Sequence, residues 1–441
     1  CLSRGFRLLV LTNAMRPMMR PRIQGALLDL QKRYRAQLTL RVSVDHFDPK
    51  LHEQERGTNT WEPMLKGLKW LALNGLNIDV AGRTRWGEDE AKLRSGFAAL
   101  FLRLGIVVDA YDEKQLMLFP EMDASAEVRA LAERLGAPVL SSHAGKGLIP
   151  SGHPLNAGSA MHLAGGHSLL SDSDTIIAIG TELAWTDSFV DELPIQGKVV
   201  RIDVDSSQFS GRYPASVGVQ ADAKSACAKL LAELGEGASN EADGRQRAAS
   251  AQVQNNAERT ALERRHQAVL SVVREMLPSN GILSADSSQI TYTGQADFPA
   301  DAPRQWLYGA GFCTLGGALP EAIGAALACP DQPVMAVAGD GGFMFTLPEL
   351  ATAVELKLSL PVLVWNNDSL AQIKDGMVAR GFKPIGVDSV NPDFLALGAA
   401  FGCATARPQS ADELGESIRT ALKAGRPTLI EVHQEDRWLV Q

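Results

Sequence analysis

Apolar residues in the last third of the chain form two short runs separated by a helical pattern. The first run, Val334–Ala338, ends in a Gly-Asp-Gly-Gly sequence, and the second, Leu360–Trp365, ends in two asparagines. Short apolar runs bounded by turn residues are typical of buried strands. A crossover between parallel strands is almost always right-handed, and it places both strand ends at one edge of the sheet. The pattern therefore predicts a strand–helix–strand unit in which Asp340 and Asn367 are spatial neighbours.

The same alternation of apolar runs and helical patterns extends over residues 257–441. Gly281–Ala285 and Thr428–Val432 are further candidate strands, and Leu319–Leu327 has a helical period. Strands that alternate with helices predict a parallel sheet with helices on both faces. Residues 125–234 have the same rhythm. The predicted fold class is therefore α/β, with two doubly wound parallel-sheet domains.

Two other parts of the chain differ from these domains. Residues 235–256 contain almost no large hydrophobic side chains, which predicts an interdomain linker. Residues 1–124 begin with an apolar run, Arg7–Met15, and continue with alternating helical and strand patterns. We expect residues 1–124 to fold as a separate unit, with a join to the rest of the chain near residues 121–126.

Composition excludes several classes of protein. The 441 residues are 45% hydrophobic and 21% charged, which predicts a folded globular chain, and no apolar run is long enough for a membrane span. The five cysteines are scattered without a Cys-x-x-Cys pair, which favours a reducing cytoplasm and neither a disulfide framework nor a zinc site. The net charge of −8 argues against nucleic acid as a partner. The first residue is Cys rather than Met, which predicts a processed or truncated product, or a fragment of a longer reading frame.

The residues at the predicted strand ends suit one type of chemistry. Asp340 and Asn367 supply oxygen ligands, and Gly341 and Gly342 allow the backbone to approach an anion. Mg²⁺ takes few protein ligands and completes its octahedron with phosphate oxygens and water. The Gly-Asp-Gly-Gly sequence alone is a common turn, and the Asn-Asn sequence alone is a common strand exit. Because Asp340 and Asn367 are 27 positions apart, the two motifs together favour a magnesium–diphosphate site. Thr346 and Glu349 have capping-box spacing, which predicts a helix start between them.

The Gly-Asp-Gly-Gly sequence followed at this distance by Asn-Asn resembles the signature of thiamine diphosphate enzymes of the acetolactate synthase and 2-oxo acid decarboxylase group. The resemblance implies that Asp340, the Asn367 side chain and the Ser369 carbonyl bind Mg²⁺, and that Gly339 lies with the glycines after it beside the cofactor diphosphate. Close relatives have glycines after the two asparagines, whereas this chain has Ser369 and Ala371. If the loop requires positive φ at those positions, it would be strained.

Two further segments carry predicted cofactor contacts. In the family, a segment like Gly309–Ala328 faces the middle of the cofactor, where a bulky apolar side chain supports the thiazolium ring. Leu315 occupies that position, with Gly316 beside it; core packing is the alternative for Leu315. Ser287 and Ser288 follow the first strand of the last domain. Hydroxyl groups at a strand's carboxyl end suit diphosphate contact, although an ordinary turn is an equal alternative.

The middle of the chain resembles the central domain of the same enzymes. The similarity is carried by the segments His143–Gly158, Ala178–Leu183 and Val199–Asp205. In the family a glycine-rich strand precedes the helix that begins near residue 125, and this strand is missing here. Some relatives bind FAD in this domain, and the resemblance leaves FAD binding open.

The first part of the chain resembles a different family. The sequence Ser43-x-Asp45-x-x-Asp48-Pro49 and the helix–strand repeat after it are similar to the later half of a radical S-adenosylmethionine barrel. The resemblance implies a partial (β/α) barrel-like unit. Because residues 1–124 contain no cysteine beyond Cys1, no iron–sulfur cluster is expected. The chain as a whole is similar to the tail of one enzyme joined to the last two-thirds of another.

The resemblance implies a thiamine diphosphate-dependent lyase or transferase that acts on a 2-oxo acid. In the family the cofactor provides the electron sink, and a glutamate from a pyrimidine-binding domain, usually on a neighbouring subunit, assists proton transfer. We expect this domain to be absent here, so that the chain needs a homo-oligomer or a partner domain. A catalytically inactive fusion remnant and a radical-enzyme fragment are the alternatives. A nicotinamide-binding fold is disfavoured because no Gly-x-Gly-x-x-Gly follows a strand.

Overall fold

A computed structural model describes residues 1–86, 88–119, 123–235, 241–311 and 313–440. The chain divides into two compact units, residues 1–122 and 123–441. Every strand pairing in both units is parallel. The predicted α/β class is therefore confirmed. No helix among the described residues is long and apolar enough to span a membrane.

The described residues of the first unit form a four-stranded parallel sheet with four α-helices. Its elements are β1 (Leu8–Thr12), α1 (Pro21–Tyr34), β2 (Leu38–Asp45), α2 (Pro49–Arg56), α3 (Trp61–Leu73), β3 (Asn77–Arg83), α4 (Glu90–Leu104) and β4 (Leu116–Phe119). The strands are ordered β1-β2-β3-β4, which is the order expected of one segment of a (β/α) barrel. The core lies where β2 meets α3 and α4, and it includes the fully buried Val42, Leu68 and Phe97.

The second unit begins with a smaller sheet. Its elements are α5 (Ser125–Leu135), α6 (Ala164–Ser171), β5 (Thr175–Ile179), α7 (Trp185–Ser188), β6 (Lys198–Asp203), β7 (Val217–Gln220), α8 (Ala223–Glu233) and α9 (Glu241–Ala257). The strands are ordered β5-β6-β7, and a single isolated bridge joins Val139 to Asn156. The described residues thus place three strands in this sheet, and the prediction of a lost strand remains a prediction.

The segment predicted as a linker is largely helical, because α9 occupies residues 241–257. Residues 236–240 lie outside the described part of the chain. The helix contacts α6 through small residues, and Ala248 and Ala251 are buried. Gly165 of α6 permits this contact, since an added Cβ would lie 2.0 Å from the Ala251 carbonyl oxygen. Alanine and glycine allow close helix packing without large hydrophobes, which is why the composition indicated a linker.

The remainder of the second unit is a six-stranded sheet. Its elements are α10 (Ala261–Met276), β8 (Ile282–Ala285), α11 (Gln289–Asp297), β9 (Trp306–Tyr308), α12 (Ala318–Ala328), β10 (Val334–Gly339), α13 (Asp340–Thr346), α14 (Glu349–Glu355), β11 (Pro361–Asn366), α15 (Ala371–Ala379), α16 (Phe394–Phe401), β12 (Ala404–Ala406), α17 (Ala411–Ala421) and β13 (Thr428–His433). The strands are ordered β12-β13-β11-β10-β8-β9. The strands predicted near residues 281–285, 334–338, 360–365 and 428–432 are all present.

Alternate residues of this sheet contribute to two separate cores. On one face Met335 and Val337 of β10 pack with α10, α11 and α17. On the other face Ala336 and Ala338 pack with α12, α13, α14 and α16. Successive side chains of a strand point to opposite faces, so a fully apolar strand requires a helical layer on each side. The sheet is therefore doubly wound. Because the helices cover its two faces, the loops at the strand ends remain available to form a site.

Candidate functional site

Three adjacent strands bring the predicted site residues to one edge of the six-stranded sheet. In the register, Val337 of β10 is paired with Ala285 of β8, and Gly339 of β10 is paired with Trp365 of β11. The loops that follow β8, β10 and β11 therefore start side by side. This edge, which we call the carboxyl edge, is where open α/β sheets bind ligands.

Asp340 is the first residue of α13 and follows β10 directly. The residue is only 3% exposed. Its Oδ1 accepts the N–H of Gly341 at 2.9 Å, and its Oδ2 accepts Nδ2 of Asn391 at 2.7 Å. A helix start favours a negative charge because its first N–H groups are unpaired. The sequence thus predicted an oxygen ligand at this edge, and the structure shows that it is buried with both oxygens hydrogen-bonded.

Asn391 is a site residue that the sequence did not indicate. Besides Asp340, its Nδ2 contacts Oδ1 of Asn366 at 2.9 Å and Oδ1 of Asp368 at 3.1 Å. Asn366 is held in turn by Glu431, whose Oε1 accepts Nδ2 of Asn366 at 2.8 Å. Asn391 lies in a segment without strand or helix and far from either motif, so no local pattern could have identified it.

The other two predicted metal ligands lie just beyond β11. Oδ1 of Asn367 accepts the Ser369 N–H at 3.2 Å, and its Nδ2 donates to Oε1 of Gln289 at 3.4 Å. The Ser369 hydroxyl donates to the Val387 carbonyl at 2.9 Å. Asp340 and Asn367 follow the adjacent strands β10 and β11. The side chains that contact the same donor as Asp340, Nδ2 of Asn391, are those of Asn366 and Asp368.

In the loop after β11, one residue has a left-handed backbone conformation. Asp368 has φ 53°, whereas Ser369 and Ala371 have ordinary negative φ values. Aspartate tolerates the left-handed region better than most residues. The glycine replacements at 369 and 371 therefore cause no backbone strain.

The predicted cofactor-binding glycines have close neighbours. An added Cβ would lie 3.0 Å from Ser288 Cβ at Gly339, 2.8 Å from Leu370 Cδ2 at Gly341, and 2.2 Å from Asp286 Oδ2 at Gly342. The tightest of these contacts is at Gly342, where an added Cβ would overlap the buried Asp286 carboxylate; at Gly341 the neighbour is the mobile end of a leucine side chain. The sequence argument had assigned Gly341 and Gly342 to approach of an anion, and the contacts supply a packing reason as well.

The two serines after β8 both have partners. Ser287 is 8% exposed, and its Oγ lies 3.3 Å from the Tyr308 hydroxyl. Burial raises the pKa values of Tyr308 and of the nearby Tyr292, so both phenols are neutral donors at neutral pH. Ser288 is the N-cap of α11 and forms a capping box with Thr291. The serines therefore also organise the loop that holds them.

Leu315 and Gly316 lie in the loop before α12. Leu315 is half-buried, and Gly316 is buried with φ +87°. The Gly316 carbonyl accepts the Thr346 hydroxyl at 2.8 Å. The predicted helix start is present, because α14 begins at Glu349, but the capping box is wrong: Pro348 is the N-cap of α14, and the Thr346 hydroxyl bonds Gly316 instead. The apolar pattern did not show that Asp340 itself starts α13.

The donor set at the carboxyl edge fits a hard cation better than a soft one. Within the described residues, no group of three or more His, Cys, Asp and Glu side chains is arranged to hold a metal. The oxygens available include the buried Asp340 carboxylate, side-chain amides and backbone carbonyls. Such a set suits Mg²⁺, which binds one or two protein carboxylates together with phosphate oxygens.

Comparison with known protein families agrees with this geometry. Residues 286–432 match the thiamine pyrophosphate enzyme C-terminal TPP-binding domain, and residues 121–230 match the thiamine pyrophosphate enzyme central domain. This part of the chain belongs to the thiamine pyrophosphate-dependent enzymes, as the sequence motifs predicted. Neither match extends into residues 1–120, so the radical S-adenosylmethionine resemblance there stays a prediction.

Individual relatives cover the same part of the chain. The chain is 42% identical over 310 residues to a Pseudomonas aeruginosa protein named Probable 2-ketoarginine decarboxylase AruI. The aligned region covers 70% of this chain and 56% of that protein. The chain is 28% identical to the Escherichia coli acetolactate synthase isozyme 1 large subunit, over 70% of this chain and 56% of that protein. A Castellaniella defragrans sulfoacetaldehyde acetyltransferase is 25% identical, over 70% and 58%. The chain spans a little over half the length of these relatives.

Proposed function

We propose that residues 123–441 form the diphosphate-binding half of a thiamine diphosphate- and Mg²⁺-dependent 2-oxo acid decarboxylase. The observation that carries the proposal is the buried Asp340 carboxylate, which starts α13 at the end of β10, beside the end of β11. Asp340, Asn367 and Ser369 would hold the metal. The cofactor contacts would come from Gly339, Gly341, Gly342, Ser287, Ser288, Leu315 and Gly316.

The chemistry of these groups supports the assignment. Gly339, Gly341 and Gly342 have no side chains, so the backbone around the start of α13 can approach a phosphate closely. The Asp340 carboxylate and the Asn367 amide oxygen would neutralise and orient the cation between protein and diphosphate. When bound, the cofactor supplies the electron sink for loss of CO₂. The protein's part is to fix the position of both ends of the cofactor.

The proposed substrate is a 2-oxo acid. The support is the name of the relative at 42% identity, a 2-ketoarginine decarboxylase, together with the acetolactate synthases among the more distant relatives. We propose 5-guanidino-2-oxopentanoate as the first substrate to test. The proton-transfer glutamate would come from a pyrimidine-binding domain outside residues 123–441. A catalytically inactive fusion remnant is the competing hypothesis.

Calorimetry tests the proposed site directly. The wild-type chain should bind thiamine diphosphate in the presence of Mg²⁺ and much more weakly with EDTA. Asp340→Asn keeps the shape of the side chain but removes the charge, and we expect binding to weaken by at least about tenfold, in line with a lost charge-assisted contact. Asp331→Asn is the control, because Asp331 is an exposed carboxylate before the opposite end of β10. Metal-independent binding, or equal effects of the two substitutions, would overturn the assignment.

A further inference from the structure

Asp286 is a buried carboxylate at the end of β8 to which the sequence gave no role. It is 1% exposed. Its Oδ1 accepts the N–H of Ser287 at 2.8 Å and the N–H of Gly316 at 2.9 Å, and its Oδ2 lies 3.0 Å from the same Gly316 nitrogen. Burying a carboxylate is costly unless it is hydrogen-bonded. Asp286 therefore accepts N–H groups from two different loops, and these hydrogen bonds stabilise its buried carboxylate.

Both backbone polar groups of Gly316 form hydrogen bonds to other segments. Its N–H donates to Asp286, while its carbonyl accepts the Thr346 hydroxyl at 2.8 Å. Its φ of +87° is a conformation that residues with a Cβ rarely adopt, and an added Cβ would lie 2.9 Å from Phe345 Cβ. The loop before α12 is therefore pinned at one residue to β8 and to the end of α13. Leu315 precedes that residue, so its position follows from these two bonds.

The same carboxylate also contacts the start of α13. The hydrogen that Gly342 has in place of a Cβ faces Asp286 Oδ2, because an added Cβ would lie 2.2 Å from that oxygen. Asp286 thus contacts the loop that carries Leu315 and the helix that begins with Asp340. The Leu315 loop is the part of the proposed site that faces the cofactor ring, and the Asp340 helix is the part that faces the diphosphate. Asp286 therefore contacts both parts.

We propose that Asp286 is a positioning residue for thiamine diphosphate: it fixes the loop that carries Leu315 relative to the helix that carries Asp340. The proposal rests on the proposed function and adds to it a residue that does not contact the cofactor. Two linked consequences follow. Loss of the Asp286 charge displaces the ring-facing segment more than the diphosphate anchor, and loss of the Thr346 hydroxyl acts in the same direction.

Two ligands separate the ring-facing contacts from the diphosphate anchor. Thiamine diphosphate with Mg²⁺ reports on the whole site, and inorganic pyrophosphate with Mg²⁺ reports on the anchor alone. For Asp286→Asn we expect affinity for thiamine diphosphate to fall by about tenfold, as for loss of a hydrogen bond to a charged group, and affinity for pyrophosphate to change by less than about threefold. Thr346→Val should show the same pattern with a smaller loss. Asp340→Asn should weaken both ligands alike.

A double-substitution cycle distinguishes positioning from general destabilisation. If Asp286 acts through Leu315, Leu315→Ala and Asp286→Asn should together cost less affinity for thiamine diphosphate than the sum of their separate losses. Asp297→Asn, at a half-buried carboxylate that pairs with Arg259, is the matched control and should leave both affinities unchanged. Urea unfolding of each variant shows that it is folded under the binding conditions.

The outcomes are separable. Equal loss of both ligands in Asp286→Asn and Thr346→Val, or additive losses in the double substitution, would overturn the positioning role while leaving the binding site itself in place. Wild-type protein that binds neither ligand would overturn the proposed function, and the role of Asp286 toward the cofactor with it. A selective loss of thiamine diphosphate affinity that is non-additive with Leu315→Ala supports the proposal.

Discussion

Nδ2 of Asn391 donates a hydrogen bond to Oδ2 of Asp340 over 2.7 Å, although 51 positions separate the two residues. The same nitrogen contacts oxygens of Asn366 and Asp368, so one amide orders three side chains at the carboxyl edge. Asn391 therefore determines the orientation of the carboxylate to which we assign the metal.

The first prediction concerns this amide. Asn391→Ala should weaken Mg²⁺-dependent binding of thiamine diphosphate by about tenfold, because hydrogen bonds to charged groups contribute roughly 1.5–3 kcal/mol. Titration calorimetry at several Mg²⁺ concentrations measures this, and the loss should be partly recovered at high Mg²⁺. Asn280→Ala is the control, since Asn280 is exposed at the opposite edge of the sheet before β8. Unchanged affinity in Asn391→Ala would show that Asp340 needs no such support.

The second prediction uses the contact between Gly342 and Asp286. Gly342→Ala should lower the free energy of unfolding by about 1–3 kcal/mol, because the new methyl group overlaps a buried carboxylate oxygen. It should also abolish detectable thiamine diphosphate binding. Gly324→Ala is a matched control within α12, where nothing lies within 4 Å of an added Cβ. That change should raise stability by up to about 1 kcal/mol. Urea denaturation compares the two, and similar effects would refute the steric argument.

The third prediction concerns stability below neutral pH. Burial lowers the pKa values of His143 and His266 to about 4. Between pH 6.5 and 4 the unfolded chain therefore binds protons at both histidines that the folded chain does not, so stability falls as the pH is lowered through this range. Each histidine contributes at most about 1.4 kcal/mol per pH unit. Below pH 4 both states are protonated, and this contribution stays constant.

Substitution can assign that pH dependence. Neither ring nitrogen of His143 has a hydrogen-bond partner, so His143→Phe removes the titrating group without removing a bond. We expect the slope of unfolding free energy against pH between 4 and 6.5 to fall by up to about 1.4 kcal/mol per pH unit, and to fall further when His266→Gln is added. Urea unfolding at half-unit pH intervals measures the slope. An unchanged slope in His143→Phe would show that this histidine does not remain neutral in the folded protein.

The fourth prediction concerns turnover. With saturating thiamine diphosphate and Mg²⁺, this chain alone should release little CO₂ from pyruvate or from 5-guanidino-2-oxopentanoate. General acid–base assistance typically contributes about 10²–10⁴-fold in rate, and our proposal assigns this role to no residue within 123–441. Adding a separately expressed pyrimidine-binding domain should raise the rate. Robust turnover by the chain alone would contradict the half-site interpretation.

The sequence by itself determined the elements that depend on neighbouring residues. The runs Val334–Ala338 and Leu360–Trp365 become β10 and β11 with ends shifted by only a residue, because an uninterrupted apolar run must be buried on both faces. The motifs at the ends of these strands also identified the family. Asp340 and Asn367 could be placed at one edge because the handedness of the crossover leaves a single arrangement.

Tertiary structure alone decided the contacts between distant segments. Asn391, Asp286 and Thr346 stand in ordinary local sequence, and each gains its role only when the sheet brings loops from different parts of the chain together. The helix α9 is a second case, because its small residues gain a buried face only against α6. A hydrogen bond or a close packing contact depends on distance in space, and a periodic pattern in sequence carries information only about residues a few positions apart.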